Sequence, residues 1–135
     1  AVVRLGGDRA FYSPGHDAIQ LPPVHVFRDV NAFAAIQAHE LIHWTGHPNR
    51  LAREFGKRFG DDAYAFEELV AELGAAFLCA DLGVPSNVRD DHAAYLASWL
   101  QVLKRDKRAI FKAASEAQKA VDWLHALQEP LQAAA

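Results

Sequence analysis

The stretch DVNAFAAIQAHELIHWTG, Asp29 to Gly46, decides the fold. Asn31, or Asp29 before it, can cap a helix that runs to about Trp44 and ends at Thr45-Gly46. Ala34, Ala38, Leu41, Ile42 and Thr45 recur at the spacing of one helical stripe and supply a core face. Within that helix His39-Glu40-Leu41-Ile42-His43 reads H-E-x-x-H. Side chains at i and i+4 share a face, so both imidazoles can reach one metal ion, and the glutamate beside the first can deprotonate a water held there. His39, Glu40 and His43 fall off the core stripe, which leaves them available for chemistry. The pattern implies a metal-dependent hydrolase provided that a third ligand exists.

Before this helix the chain reads as short strands and turns. Val2–Leu5 and Ala10–Ser13, separated by Gly6-Gly7-Asp8, have the form of a hairpin, and Ala18–Leu21 is a third strand stopped by Pro22-Pro23. After it the chain is helical. A polar loop from 46 to 62 carries Arg50, Arg53, Lys57 and Arg58. Asp61 or Asp62 can cap a second helix, about Tyr64 to Leu82, closed by Gly83 and Pro85. Its apolar side is read as Leu69, Val70, Leu73, Ala76, Phe77 and Ala80. A third helix follows Asp90-Asp91 with Leu96, Leu100 and Leu103. Asp106 can cap a fourth, on which Ile110, Ala114, Ala117, Val121 and Leu124 keep the period until Pro130.

With 135 residues, half of them apolar, the chain is expected to form one domain, 1–135, of α+β class: a small antiparallel sheet, then about four helices. A net charge of −3 gives no whole-domain case for nucleic acid or membrane. The single cysteine, Cys79, excludes an internal disulfide and fits a reducing, cytoplasmic setting. No apolar run approaches the ~20 residues that span a bilayer. The chain contains no methionine, which reads as a fragment or processed form.

Glu67, Glu68 and Glu72 on the second helix are the candidates for the third ligand. Glu68 and Glu72 share a face with Ala65, Ala75 and Cys79, and Gly74, Ala75 and Ala76 allow close approach to the motif helix. Two carboxylates among small and apolar residues, with no lysine nearby, are costly without partners. A metal and its histidines supply them. Glu68 is assigned as ligand and Glu72 as acceptor of a hydrogen bond from a ligand histidine; the reverse assignment meets the same spacing. Zinc is the default for two imidazoles and a carboxylate, with manganese, cobalt or nickel as alternatives. Glu40 is the general base, and Tyr64, His92 and Tyr95 are candidate transition-state stabilisers. Strand Ala18–Leu21 can offer an edge to an extended peptide. His16, His25, His47 and His125 read as surface histidines and Cys79 as a buried inert thiol. Lys104, Arg105, Lys107, Arg108 and Lys112 read as a solvated helix junction, because no aromatic platform is interleaved with them.

The run His39 to His47, then Asn49-Arg50-Leu51, Tyr64 to Glu72, His92 to Leu96 and Ser98-Trp99-Leu100 resemble the C-terminal domain of ArdC-type antirestriction proteins of plasmids. Tyr12-Ser13-Pro14 with Asp17, Ile19, Leu21 and Pro22 fits the same resemblance, which covers almost the whole chain. It implies a zincin-like metallopeptidase fold preceded by a domain that binds single-stranded DNA. Glu68 followed by Glu72 is similar to the Glu-x-x-x-Asp of gluzincin peptidases, with glutamate in place of aspartate at 72. The expected activity is peptide hydrolysis by a metal-activated water, carried out by a cytoplasmic monomer on a protein or peptide substrate, with no membrane partner. The alternative is a non-catalytic, metal-stabilised module that protects DNA or binds restriction enzymes. Structural zinc sites usually have four protein ligands, whereas three beside a general base favour an open catalytic site. Direct nucleic-acid binding by this domain is disfavoured by its charge.

Overall fold

The computed structural model describes residues 1–56, 62–85 and 92–128, with residues 92–98 by their backbone alone. Three strands, β1 (Val2–Leu5), β2 (Phe11–Ser13) and β3 (Ala18–Leu21), precede a short turn of 3-10 helix, Val24–Val26. Four helices follow: α1 (Val30–Thr45), α2 (Asp62–Leu82), α3 (His92–Arg105) and α4 (Ala109–Ala126).

The sheet departs from the expected antiparallel hairpin. Its order is β1-β3-β2, with β1 parallel and β2 antiparallel to β3, so β1 and β2 do not pair. Burial explains the order. Ala18, Ile19 and Leu21 are buried whereas every residue of β1 is exposed, so the strand with the apolar load takes the covered centre. Ala18–Leu21 is therefore not an edge. β2 is the edge strand that borders the cleft described below.

Asp29, of the two possible caps, starts α1: its side chain accepts the Ala32 N–H at 2.7 Å. Thr45 ends the helix, and the loop folds straight back over Gly46. A Cβ at Gly46 would lie 2.8 Å from Phe55 Cζ and 2.9 Å from Arg53 Nη2. Ala38 and Ile42 of α1 meet Val70, Ala71, Ala75, Leu78 and Cys79 of α2 and the alanine face of α4, Ala113, Ala117 and Ala120, in one core cluster. The two helices come close at Gly74, where a Cβ would stand 2.9 Å from Ile42 Cδ1. The reading of α2 is corrected at two positions: Ala76 and Ala80 are exposed, while Ala71, Gly74, Ala75, Leu78 and Cys79 join Leu69 and Val70 on the buried side. Leu100 of α3 is likewise 49% exposed, while Trp99 packs on the core. Asp106 sits three residues before the first residue of α4 and accepts the Arg108 N–H at 3.0 Å.

A second cluster ties sheet to helices. Ile19, Leu21 and Trp44 pack with Trp123 of α4, the two indoles meeting edge-on at 5.5 Å. Arg50 fastens this junction. It lies 3.9 Å from the centre of the Trp44 ring, donates to the Trp44 carbonyl at 2.7 Å, and pairs with Asp17 in the turn between β2 and β3. Tyr12 donates to the same Asp17 carboxylate at 2.7 Å. Asp17 holds φ at 49°, a left-handed conformation that aspartate tolerates better than most residues. The C-terminal end of α1 and the cleft-side strand are thus held in register by one guanidinium.

Candidate metal centre

One turn of α1 separates His39 and His43, and their Nε2 atoms lie 3.1 Å apart. Glu68 of α2 meets both, Oε2 at 3.2 Å from His39 Nε2 and Oε1 at 3.1 Å from His43 Nε2. Ligand atoms of His39, His43 and Glu68 all fall within 4.8 Å of one another, and all three residues are buried. Each histidine has a second carboxylate behind it: His39 Nδ1 lies 2.9 Å from Glu72 Oε1, and His43 Nδ1 lies 2.8 Å from Glu67 Oε2.

The donor set fits a cation. A neutral imidazole that donates Nδ1–H to a carboxylate presents a bare lone pair at Nε2. Two such lone pairs and the Glu68 carboxylate converge, three acceptors with no donor among them. A metal ion satisfies all three at once, and in its absence protons must. Burial by itself lowers the His43 pKa, yet hydrogen bonds to Glu67 and Glu68 outweigh it and push the ring up to about 10. His39 moves in the same direction, with burial opposed by Glu68 and Glu72. Glu68 is held well below the usual carboxylate range despite its burial, by hydrogen bonds from both rings.

The structure thus brings Glu68 to the histidine pair and Glu72 to the back of His39. Glu67 takes a different place from the ligand position for which it was weighed. It stands behind His43, and Arg53 clamps it, donating from Nε to Oε1 at 2.8 Å and from Nη2 to Oε2 at 3.2 Å. The same guanidinium reaches the Ile42 carbonyl at 2.6 Å and Thr45 Oγ1 at 3.0 Å. Arg53 belongs to a loop without periodicity, so no pattern announced it. Donor counting offered the only signal: two ligand histidines need two outer acceptors, and a cluster of four glutamates needs a buried cation.

Glu40 is buried, lines the cleft in front of the histidines and takes part in none of these hydrogen bonds. That cleft measures about 440 Å³. Arg9, Phe11 and Tyr12 of the β2 side, Phe55 of the loop and Tyr64 of α2 complete its walls. The Tyr12 hydroxyl is pushed up to about 12, first by burial and then by its bond to Asp17, and so remains a donor. Tyr64 is thereby placed at the cleft, while the side chains of His92 and Tyr95 lie outside the described residues, as do Asp61, Asp90 and Asp91. Three of the four isolated histidines are bound up elsewhere: His47 Nδ1 accepts the Asn49 N–H, His16 meets Ser13, and His125 meets Asp81. Cys79 is buried in the core cluster, and burial pushes its thiol up. Among the described residues, no helix is long and apolar enough to cross a membrane.

Comparison with known proteins agrees with this geometry. The family model of zincin-like metallopeptidases matches residues 1–116. The chain is similar to two crystal structures of the antirestriction protein ArdC of plasmid R388, one metal-free and one Mn(II)-bound. Identity is 49% in both, with TM-scores of 0.81 and 0.82, over 93% of this chain and 45% and 47% of those chains. It is 48% identical to protein y4eC of Sinorhizobium fredii (strain NBRC 101917 / NGR234) over 96% of its own length and 42% of that protein. It is also 42% identical to a DNA primase TraC of Escherichia coli, of which it spans 12%. The chain therefore spans less than half the length of the relatives it matches. Fold, candidate metal site and family model agree: the chain belongs to the zincin-like metallopeptidase family.

Proposed function

We propose that the chain is the metal-dependent peptidase domain of a plasmid or mobile-element antirestriction protein, acting in the cytoplasm on a protein or peptide substrate. The observation that carries this reading is the convergence of three buried acceptors, His39, His43 and Glu68, with the buried carboxylate of Glu40 in the same cleft. These three residues would hold the ion, taken as Zn²⁺, with Mn²⁺, Co²⁺ or Ni²⁺ able to use the same ligands. When bound, the ion supplies Lewis acidity, which polarises a carbonyl and acidifies water. The protein supplies the rest. Glu72 and Glu67 fix the two imidazoles in the tautomer that exposes Nε2. Glu40 accepts the proton of the attacking water and returns it to the departing amine. Edge strand β2 orients an extended peptide through its main chain. Tyr64, on the cleft wall, donates to the developing oxyanion, a role shared in this reading with His92 or Tyr95.

The names of the relatives, an antirestriction protein and a DNA primase, favour a second reading. In it the domain is a non-catalytic module, stabilised by metal, that protects DNA or binds restriction enzymes. Metal content and cleavage of a broad peptide library, measured for the wild type, His39→Ala and Glu40→Gln, separate the two. The peptidase reading expects His39→Ala to lose the metal, and Glu40→Gln to keep it while losing cleavage. A metal-loaded wild type that cuts nothing, with Glu40→Gln retaining antirestriction, would establish the module instead.

A further inference from the structure

A larger cavity, a groove of about 1230 Å³ between the loop after α1, the start of α2 and the outer face of α4, has neither histidine in its lining. Its floor is apolar, with Leu51 and Phe66. Its α4 wall carries Arg108, Phe111, Lys112, Ser115 and Lys119, residues that recur three and four apart along one side of the helix. Phe111 is 74% exposed, more than any other large apolar side chain among the described residues. The basic run was read from sequence as a solvated junction for want of an aromatic platform. The run is indeed solvated, and Phe111 stands inside it with its ring in solvent beside two of its cations.

Charge at this corner runs against that of the whole chain. Residues 104–112 hold Lys104, Arg105, Lys107, Arg108 and Lys112 against Asp106 alone, in a chain of net charge −3. Carboxylates nearby do not cancel this. Asp106 lies 3.0 Å from Lys112 and 3.5 Å from Arg108, Glu116 lies 3.0 Å from Lys119, and Asp62 pairs with Arg105, all at the surface, where such pairs are weak and exchange readily for phosphate. Glu54, on the opposite rim, and Glu67, which is paired with Arg53, are the other anions of the groove. Lys104 and Lys107 have no carboxylate partner among the described residues.

We propose that this groove is a second binding site, for single-stranded nucleic acid, with Phe111 stacking on a base and Arg108, Lys112 and Lys119 following the phosphates. Two features select this ligand. An exposed ring flanked by cations suits a planar base, which an acidic peptide lacks. From Arg108 at the cap to Lys119 the cations extend over about 16 Å, a length that tracks a chain of phosphates rather than the one group of a mononucleotide.

Fluorescence anisotropy of a labelled oligothymidylate of about 15 nucleotides, titrated with the 135-residue chain, tests the proposal. Binding is expected to weaken with salt at a log–log slope of about −2, the value for roughly three neutralised phosphates. Phe111→Ala should lower affinity about tenfold, and Phe111→Leu, which keeps an apolar contact but no ring, should do the same. Phe111→Trp should bind as the wild type does and show its indole fluorescence quenched by the bound base. Lys112→Glu should flatten the salt slope. These sites are exposed, so unchanged circular dichroism will confirm that each variant is folded. The proposal is overturned if the wild type shows no salt-dependent binding, or if Phe111→Leu binds as tightly as the wild type. Displacement of the oligonucleotide by polyglutamate at equal charge concentration would overturn it in favour of an acidic protein partner.

Discussion

Replacing Glu67 by glutamine tests the electrostatic reasoning behind the metal centre most directly. The substitution keeps shape and removes charge from a carboxylate only 3% exposed. At present one oxygen accepts from His43 Nδ1 at 2.8 Å and the other from Arg53 Nε at 2.8 Å. A glutamine has a single acceptor oxygen, so its NH₂ must confront either the imidazole N–H or the guanidinium. Hydrogen bonds to charged groups contribute about 1.5–3 kcal/mol each, and a buried ion stripped of its partner costs about 3–5 kcal/mol. The Arg53 side chain is 6% exposed, so little solvent can substitute for the lost charge. Metal affinity, read by competition with a chromophoric chelator, should therefore fall about 10–100-fold, the range for loss of an outer partner of a ligand histidine. Thermal unfolding of the metal-free variant should drop by roughly 10 °C or more. Glu67→Asp, which keeps the charge on a shorter stem, should recover part of the affinity. Wild-type metal affinity in Glu67→Gln would refute the claim that His43 is held by this carboxylate.

Three further outcomes follow from the geometry. Gly74→Ala should cost about 1–3 kcal/mol in denaturant unfolding, because the new Cβ meets the Ile42 side chain at 2.9 Å on two atoms; an unchanged midpoint would show that the helices separate freely. Asp17 is held below its ordinary value of 3.8, first by its hydrogen bond from Arg50 and, against the opposing effect of burial, by that from Tyr12. A lowered carboxylate adds stability above the unfolded value and loses it as pH falls through the folded one. Melting temperature should thus decline below about pH 3.8 less steeply in Asp17→Asn than in the wild type, and parallel curves would deny the latch a role. Chelation should lower the melting temperature of metal-loaded protein by an amount that grows with the free metal concentration it replaces, about 2.7 kcal/mol at a hundredfold excess over Kd. No response in wild type, or an equal one in His39→Ala, would dissociate metal from this site.

The parts of the molecule legible in sequence are those written in local spacing. His39 and His43 at i and i+4, Glu68 and Glu72 at i and i+4, a cap at Asp29 or Asn31 and Gly83 as a stop each follow from a few neighbouring residues. The metal-facing cluster belongs to this class, since two helical repeats needed only to face each other. What escaped was decided between elements. Strand order depended on which strand the helices cover, and that is a tertiary fact. On α2, Leu69, Val70, Leu73 and Phe77 pack inward as their hydrophobicity implies, but Ala76 and Ala80 do not, and the close contact of Gly74 with Ile42 is a matter of fit between helices. Arg53 and Arg50 sit in loops, where a long side chain can reach any of several acceptors and no period selects one. Phe111 was overlooked for the complementary reason, since a phenylalanine on an amphipathic helix is ordinarily assigned inward.

Glu67 lines both the metal cleft and the larger groove, and Arg53 lines the groove beside it. The partition between the two compartments is therefore one ion pair thick, and its inner surface is the hydrogen bond that orients His43. A wall of this kind transmits as well as separates. Any occupant of the groove whose hold on Arg53 differs between metal-loaded and metal-free protein must alter metal affinity, and the metal must alter that occupant's affinity by the same factor. The two cavities share a thermodynamic ledger even though they share no ligand.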